Sequence, residues 1–411
     1  MKTFAFVTFG CKVNQYESQA LREGYSRKGL SEVEAGGGAD LFVINTCTVT
    51  ESATSDAQRT VRRLARRFPF AEITVTGCAA DSHQEEFLGL PGVRRVVTHD
   101  RKAALCDDPR LTDQDTSPSI FDLTISRFDR HTRAFLKIED GCDLNCSFCI
   151  IPKVRGTAAS RPVESAVDEA KRLVDHGHKE IVLTGVHLGS YGKDLAQRSL
   201  LPDLIEQLLD VSGLARLRLS SIEANEISDP LIELMEAEPR FCPHLHLPLQ
   251  SGDDDVLRAM RRRYNSRQYL AACDRVAERV TDPSFTADVI VGFPGETDLQ
   301  FGNTLEVCRR VGFSRIHVFP YSRRRGTDAA LLPDLPGRVK KERRHRLERL
   351  AEELAQAYAL RFVGREVEVL QEQDGGYTER YLKAHVPGAP NTIVRARVKR
   401  VEHGEIHGSP A

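Results

Sequence analysis

No stretch of this 411-residue chain reaches the ~18 consecutive apolar residues that a membrane-spanning helix needs. Its first residues, "MKTFAFVTFG", lack the long apolar core and small-residue cleavage site of a secretory leader. Net charge is also scarce: 58 Lys and Arg against 59 Asp and Glu leave −1. A whole-molecule field that would draw the chain to nucleic acid is thereby excluded, so any such binding must come from local patches. No long-period repeat and no low-complexity tract is present. Hydrophobic residues make up 40% and charged residues 28%, as in ordinary soluble domains, and the length suits two or three of them. These features predict a cytoplasmic protein with no membrane association, where thiols stay reduced. Ten cysteines in that setting read as metal or catalytic residues sooner than as disulfides.

Three short β-rich runs open the chain, at 3–9, 40–46 and 71–77, with helical stretches around 15–28 and 52–67 between them. Strand and helix in alternation imply an open parallel sheet with right-handed crossovers. Each run ends on a cysteine: Cys11, Cys47 and Cys78. Parallel strands point their C-terminal ends to one edge, where sites form. The three thiols are therefore expected to converge on a shared metal site.

Residues 101–130, with "DDPRLTDQDTSPS", read as a polar linker. From 133 onward six strand candidates alternate with helical stretches: "RAFLKIE", "EIVLTGV", "RLRLSSI", "HLHLPL", "TADVIVGF" and "RIHVFPY". That pattern suggests a partial or full β/α barrel with its site at the C-terminal rim. A helix follows from 338 to about 361, and alternating runs with glycines to 411 read as a small antiparallel β barrel. The expected organisation is α/β, with units at 1–115, 128–358 and 360–411.

The sharpest motif is "DGCDLNCSFCII", where Cys142, Cys146 and Cys149 form C-x3-C-x2-C after the first strand of the second unit. A closed zinc site needs a fourth Cys or His. The flanking histidines are His131 and His176, and no cysteine follows until Cys242, which disfavours zinc. A 4Fe–4S cluster normally takes four cysteines. Three would leave one iron open to a small molecule.

C-x3-C-x2-C with Phe148 before its last cysteine resembles the signature of the radical S-adenosylmethionine (SAM) enzymes. In that superfamily the open iron binds SAM, and an electron cleaves it to a 5′-deoxyadenosyl radical. "GCKVNQYES", "INTCTVT" and "VTGCAA" resemble the three cysteine motifs of the methylthiotransferases, which hold a second cluster there. "CIIPKVRG", "LTGVHLGSYG", "LSSIE", "HLPLQSGDDDVLRAMRRRY" and "DVIVGFPGET" agree, and the terminal barrel resembles the RNA-binding TRAM domain. The resemblance implies an N-terminal methylthiotransferase domain, a radical SAM core and a TRAM-like domain. Within the family, the N-terminal motifs most resemble the branch acting on threonylcarbamoyladenosine. The isopentenyladenosine branch typically has Gln-Met where this chain has Lys12-Val13, and the ribosomal-protein branch has Pro-Lys. Lys153 departs from the tyrosine usual after "IIP".

The implied reaction replaces the hydrogen on carbon 2 of threonylcarbamoyladenosine, at position 37 of the tRNA anticodon loop, with a methylthio group. SAM would be both radical source and methyl donor, and a flavodoxin or ferredoxin the electron donor. The rivals are the same chemistry on isopentenyladenosine or a ribosomal protein, and a non-catalytic metal-containing RNA-binding protein. By the resemblance, Cys142, Cys146 and Cys149 hold one 4Fe–4S cluster, and Cys11, Cys47 and Cys78 the other. Phe148, Gly185, Glu223, Gln250, Asp288 and Gly292 would contact SAM or close its pocket. Arg155 and Arg161 could meet a carboxylate of SAM or of the threonyl group. Arg59, Arg62, Arg63, Arg66 and Arg67 share a helix whose apolar stripe is Val61, Leu64, Ala65 and Phe68. With Arg261–Arg263 and the basic segment 323–350, they could line a path for RNA phosphates. Tyr377, Tyr381 and Lys383 are candidate RNA contacts on the terminal barrel.

Overall fold

The computed structural model describes residues 2–48, 51–109, 119–197 and 199–411. Five parallel strands form the first sheet: β1 (Thr3–Thr8), β2 (Ser31–Glu32), β3 (Leu41–Thr46), β4 (Glu72–Gly77) and β5 (Val93–Val97), in the order β2-β1-β3-β4-β5. Alternation along the strands divides the burial. Phe4, Phe6, Leu41 and Val43 face one side with α1 (Lys12–Arg27), whereas Ala5, Phe42, Ile44 and Val75 face α2 (Glu51–Arg67). On α2, Val61 and Leu64 pack on the sheet, as the apolar stripe predicts.

All six predicted strands of the second unit are present: β6 (Ala134–Lys137), then, after the short β7 (Glu139–Asp140) and β8 (Ala159–Ser160), β9 (Glu180–Thr184), β10 (Arg216–Leu219), β11 (His244–His246), β12 (Ser284–Val291) and β13 (Arg315–Pro320). They form two parallel sheets, β10-β9-β6 and β11-β12-β13, joined by the bridges Leu217–Phe241 and Ser221–His246. The result is a partial barrel. β7 and β8 pair antiparallel and bracket the cysteine loop.

The linker expectation is only half right. Residues 110–118 lie outside the described residues, and with them the boundary near 115. His99–Cys106 is a 3₁₀ segment, and Leu123, Ile125 and Phe128 are buried in the same core as Phe4 and Leu136. The polar composition of 107–119 hides the apolar residues that follow it, and residues 120–128 form a strap that closes the core. The first sheet and the partial barrel consequently share one continuous core.

After the helix Gly337–Leu360, five strands close a barrel in the order β14-β15-β16-β18-β17: β14 (Glu366–Glu372), β15 (Gly375–Thr378), β16 (Lys383–His385), β17 (Ile393–Glu402) and β18 (Glu405–Pro410). It is antiparallel except for the parallel pair β16–β18. It docks on the N-terminal ends of β9 and β10. Arg216 donates to the carbonyls of Glu368 (2.8 Å) and Tyr377 (3.2 Å), and Arg218 to those of Thr378 (3.1 Å) and Glu379 (2.9 Å).

Candidate active site

Each strand β1, β3 and β4 delivers a cysteine to the same sheet edge. Cys11 precedes α1, Cys47 follows β3 directly, and Cys78 follows β4 and opens the helix Cys78–Ser82. Two glycines allow the close approach. A Cβ on Gly10 would lie 2.8 Å from the Cys47 Sγ, and one on Gly77 (φ +95°) would lie 2.4 Å from the Thr46 carbonyl oxygen. All three cysteines line one cavity of about 200 Å³. Its opposite wall is Thr184, Gly185, Ser220 and Ser221, at the C-terminal rim of the partial barrel.

The other triplet sits on the loop between β7 and β8. Gly141 (φ +79°) starts it, where any Cβ would strike the Thr157 carbonyl oxygen at 2.0 Å. The Cys142 N–H donates to the Gly156 carbonyl (3.1 Å), and the Leu144 N–H donates to the Cys142 Sγ (3.4 Å). Cys149 and Phe148 line a second cavity with Gln250, Asp288, Ile290 and Tyr321. Thr48 and Ile151 belong to the walls of both cavities. Cys149 and the N-terminal triplet thus border adjoining cavities.

Burial pushes the Cys142 thiol up to about 12 and Cys149 to about 11, and it also raises Cys78. Such thiols ionise only against a compensating cation. Three soft sulfurs on the first lining, and a loop that carries three more with Cys149 on the second, with no His on either lining among the described residues, fit iron–sulfur clusters with one iron left open. The Arg155 Nε–H points at the Cys78 Sγ (3.2 Å), and the Arg262 guanidinium at the Cys146 Sγ (3.4 Å). Donors of this kind favour sulfur that carries negative charge.

Arg155 is held by a buried network. It pairs with Glu17 and Asp140 (both 2.9 Å) and donates to the Asn14 side chain (2.7 Å), while Lys102 and Lys137 also pair with Glu17. Burial alone would raise the Glu17 carboxyl, but Arg155, Lys102 and Lys137 outweigh it and hold it well below the usual range. Glu17, His99 and Asp140 lie close enough to hold an ion. Their charges are already met by three cations, so this cluster is a structural tie and not a metal centre.

Of the predicted contacts, Phe148, Gln250 and Asp288 meet at the second cavity and Gly185 lines the first. A side chain at Gly185 would lie 2.7 Å from the Glu139 carboxylate, which explains the glycine. Gln250 adopts φ +59°, pinned by backbone bonds to Asp288 and Ile290. Asp288 pairs with His246 (3.4 Å). Glu223 is taken by the buried Arg262. Gly292 packs on Lys340 and lines neither cavity; its N–H donates to Glu296 (2.8 Å).

Several expectations need correction. Arg155 and Arg161 are both buried and already paired, Arg155 on the wall of the first cavity with Glu17 and Asp140, and Arg161 on neither lining, with Glu169 (3.0 Å) and the Tyr16 hydroxyl (2.7 Å). Arg262 is inside the site and not on a phosphate path. Tyr377 and Tyr381 stack on each other under Arg133 at the docking surface, and Tyr377, half-exposed, lines a surface groove with Lys383. Lys383 pairs with Glu405 (3.3 Å). Lys153 reaches the Gly326 carbonyl (2.6 Å) and lines neither cavity. The role of Arg262 was hidden within a run of three arginines, which shows charge but not direction.

Residues 136–308 match the family described as "Radical SAM superfamily", and 3–98 match "Uncharacterized protein family UPF0004". The threonylcarbamoyladenosine tRNA methylthiotransferase MtaB of Bacillus subtilis is 38% identical over 98% of this chain and 95% of its own length. The tRNA-2-methylthio-N(6)-dimethylallyladenosine synthase of Cereibacter sphaeroides is 37% identical over 95% and 94%. Among solved structures, the radical SAM methyltransferase TsrM of Kitasatospora setae shares the fold, with a TM-score of 0.58 at 14% identity over 80% of this chain and 77% of that one.

Proposed function

The chain belongs to the radical SAM methylthiotransferases, and from that premise we propose that it methylthiolates carbon 2 of threonylcarbamoyladenosine at position 37 of tRNA. The observation that carries this reading is the pair of adjoining cavities, one lined by Cys11, Cys47 and Cys78 and the other by Cys149 of the second triplet, which share Thr48 and Ile151 in their walls. A reaction that needs both a radical and a sulfur on one carbon atom requires two such sites within reach of one nucleobase.

Cys142, Cys146 and Cys149 would hold the cluster that binds SAM, and Cys11, Cys47 and Cys78 a second one. When bound, these clusters supply one-electron reduction of SAM and the sulfur for insertion. The chain's own residues do the rest. Phe148 and Tyr321 exclude water from the second cavity, Gln250 and Asp288 offer polar contacts to SAM, and Gly185 admits a ligand close to the backbone. Arg155 and Arg262 orient one sulfur of each triplet. Arg62, Arg63 and Arg66, exposed on α2 beside Phe9, would receive RNA phosphates with help from the terminal barrel. A flavodoxin or ferredoxin would deliver electrons, in the cytoplasm. Among the described residues no helix is long and apolar enough to cross a membrane.

The test is nucleoside mass spectrometry of tRNA from a host lacking its own copy of the activity, with this gene or an empty vector. Methylthio-threonylcarbamoyladenosine is expected only with the gene. A methylthio-isopentenyl product in its place would move the chain to the other tRNA substrate, and no methylthio nucleoside would defeat the reading.

A further inference from the structure

We propose that Lys12 selects the substrate by pairing with a carboxylate at the far end of its N6 substituent. This inference rests on the reading above, that the cavity takes a modified adenosine of tRNA.

Lys12 is the first residue of α1, directly after Cys11, and it lines the cavity that holds the three N-terminal cysteines. It is half-buried, and among the described residues its ammonium makes no hydrogen bond and no ion pair within 4 Å. Its buried cationic neighbours are all satisfied. Lys102 and Lys137 pair with Glu17, Arg155 with Glu17 and Asp140, Arg161 with Glu169, and Arg262 with Glu223. A fold that pairs its other buried charges this thoroughly leaves one cation open at the reaction cavity. Partial burial of an unpaired ammonium is unfavourable, and an incoming anion would relieve it. Burial is the leading influence on the Asp288 carboxyl and the His317 and His244 imidazoles, and the Lys12 charge adds a smaller lowering to each, which places it within electrostatic reach of all three. The first N–H groups of the 16-residue α1 add positive potential at the same point.

The two substrate chemistries named for the relatives differ where such a charge would act. A threonylcarbamoyl group ends in a carboxylate, and a dimethylallyl group is a hydrocarbon. A lysine at this position attracts the first and leaves the second facing an unpaired charge. With Arg155 and Arg161 both engaged internally, Lys12 is the cation on the cavity lining that remains able to do this.

The experiment uses cluster-reconstituted enzyme and two anticodon stem-loop RNAs, one with threonylcarbamoyladenosine and one with its methyl ester. Binding is read by fluorescence anisotropy and turnover as separate kcat and KM. Wild type should prefer the free acid by at least about tenfold, chiefly in Kd and KM. Lys12→Met, similar in length and uncharged, should bind both RNAs alike, and Lys12→Arg should restore most of the preference. Iron content establishes that each variant is loaded. The role of Lys12 is overturned if Lys12→Met keeps the wild-type ratio. It is equally overturned if wild type, which needs no variant for this comparison, converts acid and ester alike. If wild type neither binds nor converts either RNA, the substrate reading falls as well.

Discussion

At Cys78 a buried sulfur meets the Arg155 guanidinium, which two carboxylates hold in turn. The thiol is one of six that divide into two sets, and the sets should fail differently. Cys142→Ala should abolish SAM cleavage. Cys47→Ala should still yield 5′-deoxyadenosine but no methylthio product, with iron falling from about eight to about four per chain. Loss of SAM cleavage in a folded Cys47→Ala protein would show that the triplets do not divide the labour this way. The cysteines could be read in the sequence because ligand spacing and strand-end position are local features. The tasks of the arginines could not. Arg155, Arg161 and Arg262 look alike in one dimension, and only the packing reveals that Glu17, Glu169 and Glu223 had already claimed them.

Among the elements, the terminal barrel depends on two arginines of β10, and these depend on Glu180. Burial alone would raise the Glu180 carboxyl, but Arg218, with Arg133 and Arg216, holds it below the ordinary range. A lowered carboxylate stabilises the fold fully above its unfolded value near 4.3, and that stabilisation is lost as pH falls through the lowered folded value. Protection factors over β14 and β15, which divide out the intrinsic pH dependence of exchange, should therefore be flat from about pH 7 to 5 and fall below about pH 4. A fall in protection already between pH 7 and 5 would show that another group governs docking. Glu180→Gln should weaken docking at neutral pH. Strand positions throughout were legible from alternating β-rich runs. The strap at 120–128 was not, because three apolar residues beside a polar segment show no period that favours burial. The burial of Tyr377 and Tyr381 under Arg133 was equally hidden, since that contact is made across two units.

For the molecule as a whole, near-zero net charge means that RNA affinity must rest on few contacts. Arg59 is tied to Asp56 and Arg67 to Gly36, which leaves Arg62, Arg63 and Arg66 exposed along one groove. Replacing these three by alanine should weaken tRNA binding. It should also flatten the dependence of log affinity on log salt by roughly 0.7–0.9 for each arginine that meets a phosphate. An unchanged slope would remove this face from the RNA path. The larger organisation carries a constraint of another kind. Tyr16 and Glu17 on α1 are bonded directly to Arg161 and Arg155 on the far side of the strap, within one core. The two halves are therefore not interchangeable cassettes. A chimera of this chain's first hundred residues with a barrel lacking Arg155 or Arg161 would leave Glu17 or Tyr16 without its buried partner at the seam. Any exchange across this seam must therefore carry Tyr16 with Arg161 and Glu17 with Arg155.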